Sequence, residues 1–276
     1  MLQAIWQYEF LQNAFLAGVL IGLVAPLLGV FIVVRRLSLI ADALSHITLA
    51  GIAAGLFIEK KLGPFIPPLY IGMVFSVSGS LLIERLRKVY RHYQELAIPI
   101  MMSSGIGIGV IFISLADGFN TDLFSYLFGS VSAVSRVDLT TIAVITCLVF
   151  AVVFLFYKEL FVLSFDEEHA EVAGISSRWI HFIFMLLVAL VIAASMRIVG
   201  ILLVSSLMTL PVAASIRIAN GFKETISLSI LFGEIAVIGG LVLAYYLNLA
   251  PGGTIVIISV LILLITVGWQ HFKKGR

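Results

Sequence analysis

Apolar residues run along this chain in long unbroken stretches, and polar residues gather in short segments between them. A helix needs about 20 mostly apolar residues to cross roughly 30 Å of hydrocarbon. By that measure the pattern predicts nine spans, at about 14–34, 39–58, 65–84, 97–116, 139–158, 180–198, 200–217, 224–247 and 254–271. The sixth and seventh nearly touch at Gly200. They are either two helices joined by a tight turn or one broken segment, and the second choice gives eight spans. The expected fold is an all-α, polytopic transmembrane helical bundle, one transmembrane domain over residues 1–276.

Composition narrows the class. Of 276 residues, 61% are apolar and 12% charged, and the mean hydropathy is +1.17. A soluble domain carries roughly a quarter charged residues, so an ordinary cytosolic enzyme and a disordered chain are both excluded. The net charge of +2 gives no argument for nucleic acid. The single cysteine, Cys147 inside an apolar run, excludes a disulfide framework and a thiolate metal cage. The first ten residues, MLQAIWQYEF, lack a basic n-region and a small-residue cleavage site, so no cleavable leader is expected.

Cationic residues orient the spans, because cytoplasmic loops are enriched in Lys and Arg. Arg35 and Arg36 follow the first span; Arg85, Arg87, Lys88 and Arg91 follow the third. Lys158 and Arg178 bracket the loop after the fifth, Arg217 and Lys223 the loop after the seventh, and Lys273, Lys274 and Arg276 end the chain. These are 13 of the 17 cationic residues, leaving Lys60, Lys61, Arg136 and Arg197 for the other side. The expectation is an N-terminus outside and a C-terminus in the cytoplasm of a bacterial plasma (inner) membrane, which requires an odd number of spans. No predicted loop has room for a nucleotide-binding fold, and no G-x-x-x-x-G-K-[ST] occurs. Gly105, Gly107 and Gly109 lie within the fourth span, where small residues permit close helix packing.

Charged residues inside a bilayer are costly and are functional candidates by default. In SLIADALSHITLAGIAAGLF, Asp42 and His46 are four apart and project from one helix face, with Ser38 and Ser45 alongside. A carboxylate and an imidazole so placed hold a divalent cation by two of its positions, or else neutralise each other through a hydrogen bond. Two ligands are few for a tight site. A symmetric dimer would bring four together, a suitable number for zinc. Gly51 and Gly55 on the same helix permit close approach of a neighbour. Glu234 lies about 15 Å into the eighth span, where it either lines the path or packs in protonated form. Arg197, near the outer end of its span, is expected to snorkel. His92, His169, His181 and His271 fall in loops or at span ends and read as solvated or interfacial. Pro211 should kink the seventh span.

Two polar segments carry their own signals. In the cytoplasmic loop 159–178, ELFVLSFDEEHAEVAGISSR, Asp166 suits an N-cap, Glu167 and Glu168 place negative charge in a first turn, and Gly174 suits a C′ position. The helix between, with Ala170 and Ala173, is too short to persist unless docked. In the outer loop 117–138, Asp117, Asn120 and Asp122 alternate with Phe124, Tyr126, Leu127 and Phe128, which suits an interfacial or re-entrant helix or a packed lid.

GVLIGLVAPLLGVFIVVRRLSLIADALSHITLAG, FDEEHAEVAGI, LLVSSLMTLPVAAS and PGGTIVIIS together resemble the permease subunits of bacterial ABC importers for zinc and manganese, over nearly the whole chain. The most specific feature is Arg-Arg-x-Ser followed by Asp-Ala-x-Ser-His. The resemblance implies a homodimer that forms the pathway and a separate cytoplasmic ABC ATPase that grips the segment Asp166, Glu167, Ala170, Ala173 and Gly174. It also implies an extracellular or periplasmic metal-binding protein that delivers the ion. Asp42 and His46 match the family's intramembrane metal-coordinating pair; Glu234 matches no family motif. Zinc is favoured over manganese on the resemblance of the N-terminal half. The donor set argues against copper(I), which wants sulfur. No permanently bound cofactor and no enzymatic activity are expected.

Two other classes compete. An intramembrane metalloprotease needs H-E-x-x-H and a serine hydrolase of the nucleophile-elbow type needs G-x-S-x-G, and neither occurs. An ion-coupled secondary metal transporter working without an ATPase would show inverted repeats with carboxylates in both halves. Asp42 and Glu234 lie in different halves, but in unlike surroundings.

Overall fold

A computed structural model describes residues 8–63, 66–116, 118, 121–172 and 174–274. Among these the secondary structure is helical, with no strand. In chain order the helices are α1 (Glu9–Val34), α2 (Leu39–Leu62), α3 (Pro68–Val89), α4 (Ala97–Leu115), α5 (Thr121–Phe128), α6 (Arg136–Leu155), α7 (Tyr157–Phe165), α8 (Glu167–Val172), α9 (Ser177–Val199), α10 (Ile201–Ile218), α11 (Phe222–Leu247) and α12 (Pro251–Lys274). All but α5, α7, α8 and α10 are long and apolar enough to cross a membrane, which makes eight, and α10 is a shorter apolar helix.

Local chemistry sets the ends. Pro68 opens α3 and Pro251 opens α12, positions where the missing N–H has no helical role. Ser135 and Asp138 form a reciprocal capping box at the start of α6. The join between α9 and α10 is a true break. Gly200 has φ +83, which a side chain rarely adopts, and its N–H still closes α9 on Met196. Two helices, rather than one bent segment, therefore occupy 177–218.

The bundle packs through small residues, as expected where lipid removes the hydrophobic drive between helices. α2 lies between α3 and α4. At Gly51 a Cβ would stand 2.6 Å from Phe75 Cβ, and at Gly55 2.7 Å from Pro68 Cα, so both glycines serve the α2–α3 contact within the chain. A Cβ at Gly105 would meet Ile47 N at 2.9 Å, whereas Gly107 faces open space. Gly29 brings α1 against the backbone of Met208 in α10, and Gly233 brings α11 against Gly22 and Pro26 in α1. At one end of the bundle Gly129, Gly200 and Gly252 press three stretches of backbone together: Gly200 against Phe128 and Gly129, Gly129 against Ile198, Gly252 against Val199.

Three residues and one loop depart from the sequence reading. Arg197 does not snorkel free; it is paired with Asp138 of α6 and lies over the Tyr126 ring, 5.4 Å from its centre. His181 is not solvated. It is 7% exposed, and its Nε2 is 2.5 Å from Glu84 Oε1 of α3. Ser45 is buried and its hydroxyl returns to the Ala41 carbonyl at 2.8 Å, so it does not stand alongside Asp42. Just before the 159–178 segment α6 ends at Phe156 and the chain goes on as α7, which buries Leu160 and Leu163 and sets Phe161 and Phe165 around Phe222, with ring centres 5.0 and 5.7 Å away. Asp117, Asn120 and Ala173 lie outside the described residues.

Candidate functional site

Asp42 sits in the first turn of α2 and His46 just over one turn further on, in a stretch whose other sides are closed. Ala41, Ala43, Leu44, Ser45, Ile47 and Thr48 are all buried, while Asp42, His46 and Leu49 are half-buried and form one stripe. That stripe is the i, i+4, i+7 face of the helix. Across from it α10 presents its own half-buried stripe of Ser205, Ser206, Thr209 and Leu210. Ser205 Oγ donates to Asp42 Oδ1 at 3.3 Å, which ties the two stripes together. Thr209 donates to the Ser205 carbonyl at 2.9 Å. No hydrogen bond joins Asp42 to His46, so the pair does not neutralise itself in this arrangement.

Neighbouring helices hold this face in place. α4 abuts the His46–Ile47 backbone through Gly105, and α10 is seated on α1 through Gly29 and Met208. Pro211, inside α10, has no N–H to close the helical bond to the carbonyl four residues earlier, which loosens the ladder one turn past Ser205. Chemically, the two facing stripes carry one carboxylate, one imidazole and three hydroxyls. Among the described residues no group of three or more His, Cys, Asp or Glu side chains could hold a metal ion.

Glu234 has a different setting. It projects from α11 toward α1, where a Cβ at Gly22 would stand 2.8 Å from Glu234 Oε1. That oxygen is buried and makes no hydrogen bond among the described residues. Its neighbour is α1, whereas Asp42 bonds α10.

The acidic segment forms α8. Asp166 is extended (φ −152°, ψ 102°) and its carbonyl accepts from Ala170 N at 3.2 Å. Glu167 opens the helix, and Gly174 has φ +80. Ile175 N donates to the Ala170 carbonyl at 3.0 Å, the long bond of a Schellman ending. Ala170 is fully buried against the bundle, so it anchors α8 rather than presenting it. Among the described positions Asp166, Glu168, Gly174 and Val172 face outward, the last 87% exposed. Val172 was not singled out by sequence reasoning; the signal was an apolar residue at the end of an otherwise charged turn.

A family model described as the ABC 3 transport family matches residues 7–270. The chain is 35% identical to the manganese transport system membrane protein MntC of Listeria innocua, over 96% of this chain and 92% of that one. It is 30% identical to the high-affinity zinc uptake system membrane protein ZnuB of Haemophilus influenzae, over 98% and 99%. Among solved structures, a chain of PsaBC from Streptococcus pneumoniae in complex with Fab superposes with a TM-score of 0.84 at 32% identity, over 96% of this chain and 93% of that chain.

Proposed function

Because the chain belongs to the ABC 3 transport family, we propose that it is the membrane permease subunit of an ATP-driven importer of a divalent transition metal, with ATP hydrolysis carried out by a separate subunit. The observation that carries the site is the half-open stripe on a closed helix: Asp42 and His46 face the same side, and Asp42 is held by Ser205 rather than by His46. Two copies related by a two-fold axis would bring two carboxylates and two imidazoles to one midline, a four-donor site for the ion in transit.

In this reading the ion arrives from a delivering protein at the outer mouth and exchanges water for Asp42 and His46. The site must be loose enough to release its ion, since conduction requires binding weak enough to leave. The short helix α8 is the grip for the ATPase: Asp166, Glu167 and Gly174 shape it, Ala170 seats it, and Val172 offers an apolar contact. Closure of two ATPases would draw two such helices together and rock the halves, a rigid-body change of the kind packed interfaces support. The basic ends of α1 and α3 then face the cytoplasm. Family membership favours ATP drive over the ion-coupled alternative.

Zinc is the ion first favoured, on the resemblance of the N-terminal half; the oxygen-and-imidazole pair itself suits zinc or manganese. Manganese is the second reading, favoured by relatives named for manganese transport at 35% and 34% identity. The test is uptake of each metal by depleted cells that express the permease with its ATPase and delivering protein. Wild type is compared with Asp42→Ala and His46→Ala, and assembly is checked by co-purification. Loss of uptake with assembly intact supports the site, and the metal whose uptake is lost is the substrate. Normal uptake by both variants overturns it.

A further inference from the structure

One cleft of about 490 Å³ at the basic end of the bundle belongs to no part of the pathway described above. It is lined by Arg35 at the end of α1, Arg87, Lys88 and Arg91 at the end of α3, and Arg178 at the start of α9. These residues are up to 143 positions apart, and only the fold gathers them. The single carboxylate there, Glu84, is already engaged: it accepts from Arg87 Nη1 at 3.3 Å and lies 2.5 Å from His181 Nε2. Among the described residues Lys88, Arg91 and Arg178 have no carboxylate partner. Lys88, Arg91 and Arg178 beside one committed carboxylate leave the cleft positive and short of an anion.

The surroundings indicate what kind of anion. Trp179, Tyr90 and Tyr93 are exposed next to the cationic residues, and such rings mark the depth of lipid headgroups. On the same helix faces, deeper along the bundle, the exposed residues turn apolar: Leu81, seven before Lys88 on α3, and Phe182, four after Arg178 on α9. A positive cleft at headgroup level with an apolar track beneath it matches a phosphate carrying acyl chains better than a free anion or an acidic protein surface.

We propose that this cleft is a binding site for the phosphate headgroup of an anionic glycerophospholipid. Its acyl chain lies along Leu81 and Phe182, and its charge completes the neutralisation of Arg87, Lys88, Arg91 and Arg178. Basic pockets between membrane helices recognise such headgroups through charge at the cytoplasmic leaflet. The inference is independent of which metal is carried and of the Asp42–His46 site. It would tie the ends of α3 and α9, the two helices joined by Glu84 and His181, to the lipid composition of the inner leaflet.

The test is native mass spectrometry of the permease–ATPase complex in mild detergent with added phosphatidylglycerol or zwitterionic phosphatidylcholine. Wild type should retain phosphatidylglycerol in preference to phosphatidylcholine. The triple variant Arg87→Gln, Arg91→Gln, Arg178→Gln should weaken that retention on the order of a hundredfold. The control pair Arg217→Gln, Lys223→Gln, at exposed basic positions outside the cleft, should leave it unchanged. Arg178→Gln alone, at an exposed position, should lower it about fivefold and serves if the triple variant does not assemble. Equal retention of both lipids would overturn the proposal. So would an equal loss in the control pair, or displacement of the lipid by millimolar inorganic phosphate, which would mark a site for a soluble anion. Loss of metal uptake is not the readout, so failure here and failure of the transport reading are distinguishable.

Discussion

Ser205 Oγ of α10 donates a hydrogen bond to Asp42 Oδ1 of α2, 163 positions away in the chain. It holds the carboxylate on the half-open stripe that His46 shares. Ser205→Ala should keep the fold and lower apparent metal affinity by about tenfold, the usual range for a group that orients a ligand. The apparent KM of uptake checks this. An unchanged KM would remove Ser205 from the site while leaving Asp42 in it.

Gly105 sets how close α4 approaches the His46–Ile47 backbone. Gly105→Val puts atoms where no space exists, and overpacking of this kind costs about 1–3 kcal/mol. A lowered Tm of the purified complex and reduced uptake are expected. Gly107→Ala, two residues on and facing open space, should be neutral or slightly stabilising. Equal effects from both substitutions would show that the close approach at Gly105 has no particular role.

The Arg197–Asp138 pair is well shielded, with side chains 28% and 8% exposed. Removing one member of a buried pair costs about 3–5 kcal/mol, because the other is left uncompensated. Arg197→Met should therefore lower Tm strongly, and adding Asp138→Asn should recover much of the loss. Additive losses in that double-mutant cycle would show that the two residues do not act together.

Val172 stands out from the bundle at the end of α8. Val172→Asp should leave the permease folded and abolish its co-purification with the ATPase, with ATP-driven uptake lost alongside. Retained co-purification would move the grip elsewhere on the basic end. Gly174→Val acts differently: at φ +80 a branched side chain is strained by roughly 1–3 kcal/mol. It should weaken the Schellman ending before it touches any partner.

Glu234→Gln keeps the shape and removes the acid. Because this residue faces α1 at Gly22 rather than the Asp42 stripe, uptake near wild type is expected. Loss of uptake with normal assembly would place Glu234 in the pathway.

What the sequence made legible was local. Asp42 and His46 stood out because ionisable residues in an apolar span are rare, and Asp166 and Gly174 because cap residues act within a turn. At Gly200, where two apolar stretches nearly touch, the sequence allows a tight turn or one broken segment, and the backbone angle decides for two helices. The partners were not legible. Glu84 lies 97 positions from His181, Asp138 lies 59 from Arg197, and Ser205 lies 163 from Asp42. Nothing in a residue's neighbours announces a contact made by folding. The break at Phe156 was hidden too, since it needs neither Gly nor Pro.

The glycine contacts at Gly129, Gly200 and Gly252 carry a mechanical consequence. Backbone pressed on backbone has no side chain to yield, so the ends of α5, α9 and α12 cannot slide past one another. α9 begins just after α8 and ends at this junction, 23 residues later, a rod of roughly 35 Å. Its other end is held as well, by His181 on Glu84 of α3 and by the buried Ala170 of α8 just before it, so this stretch of chain is braced at both ends.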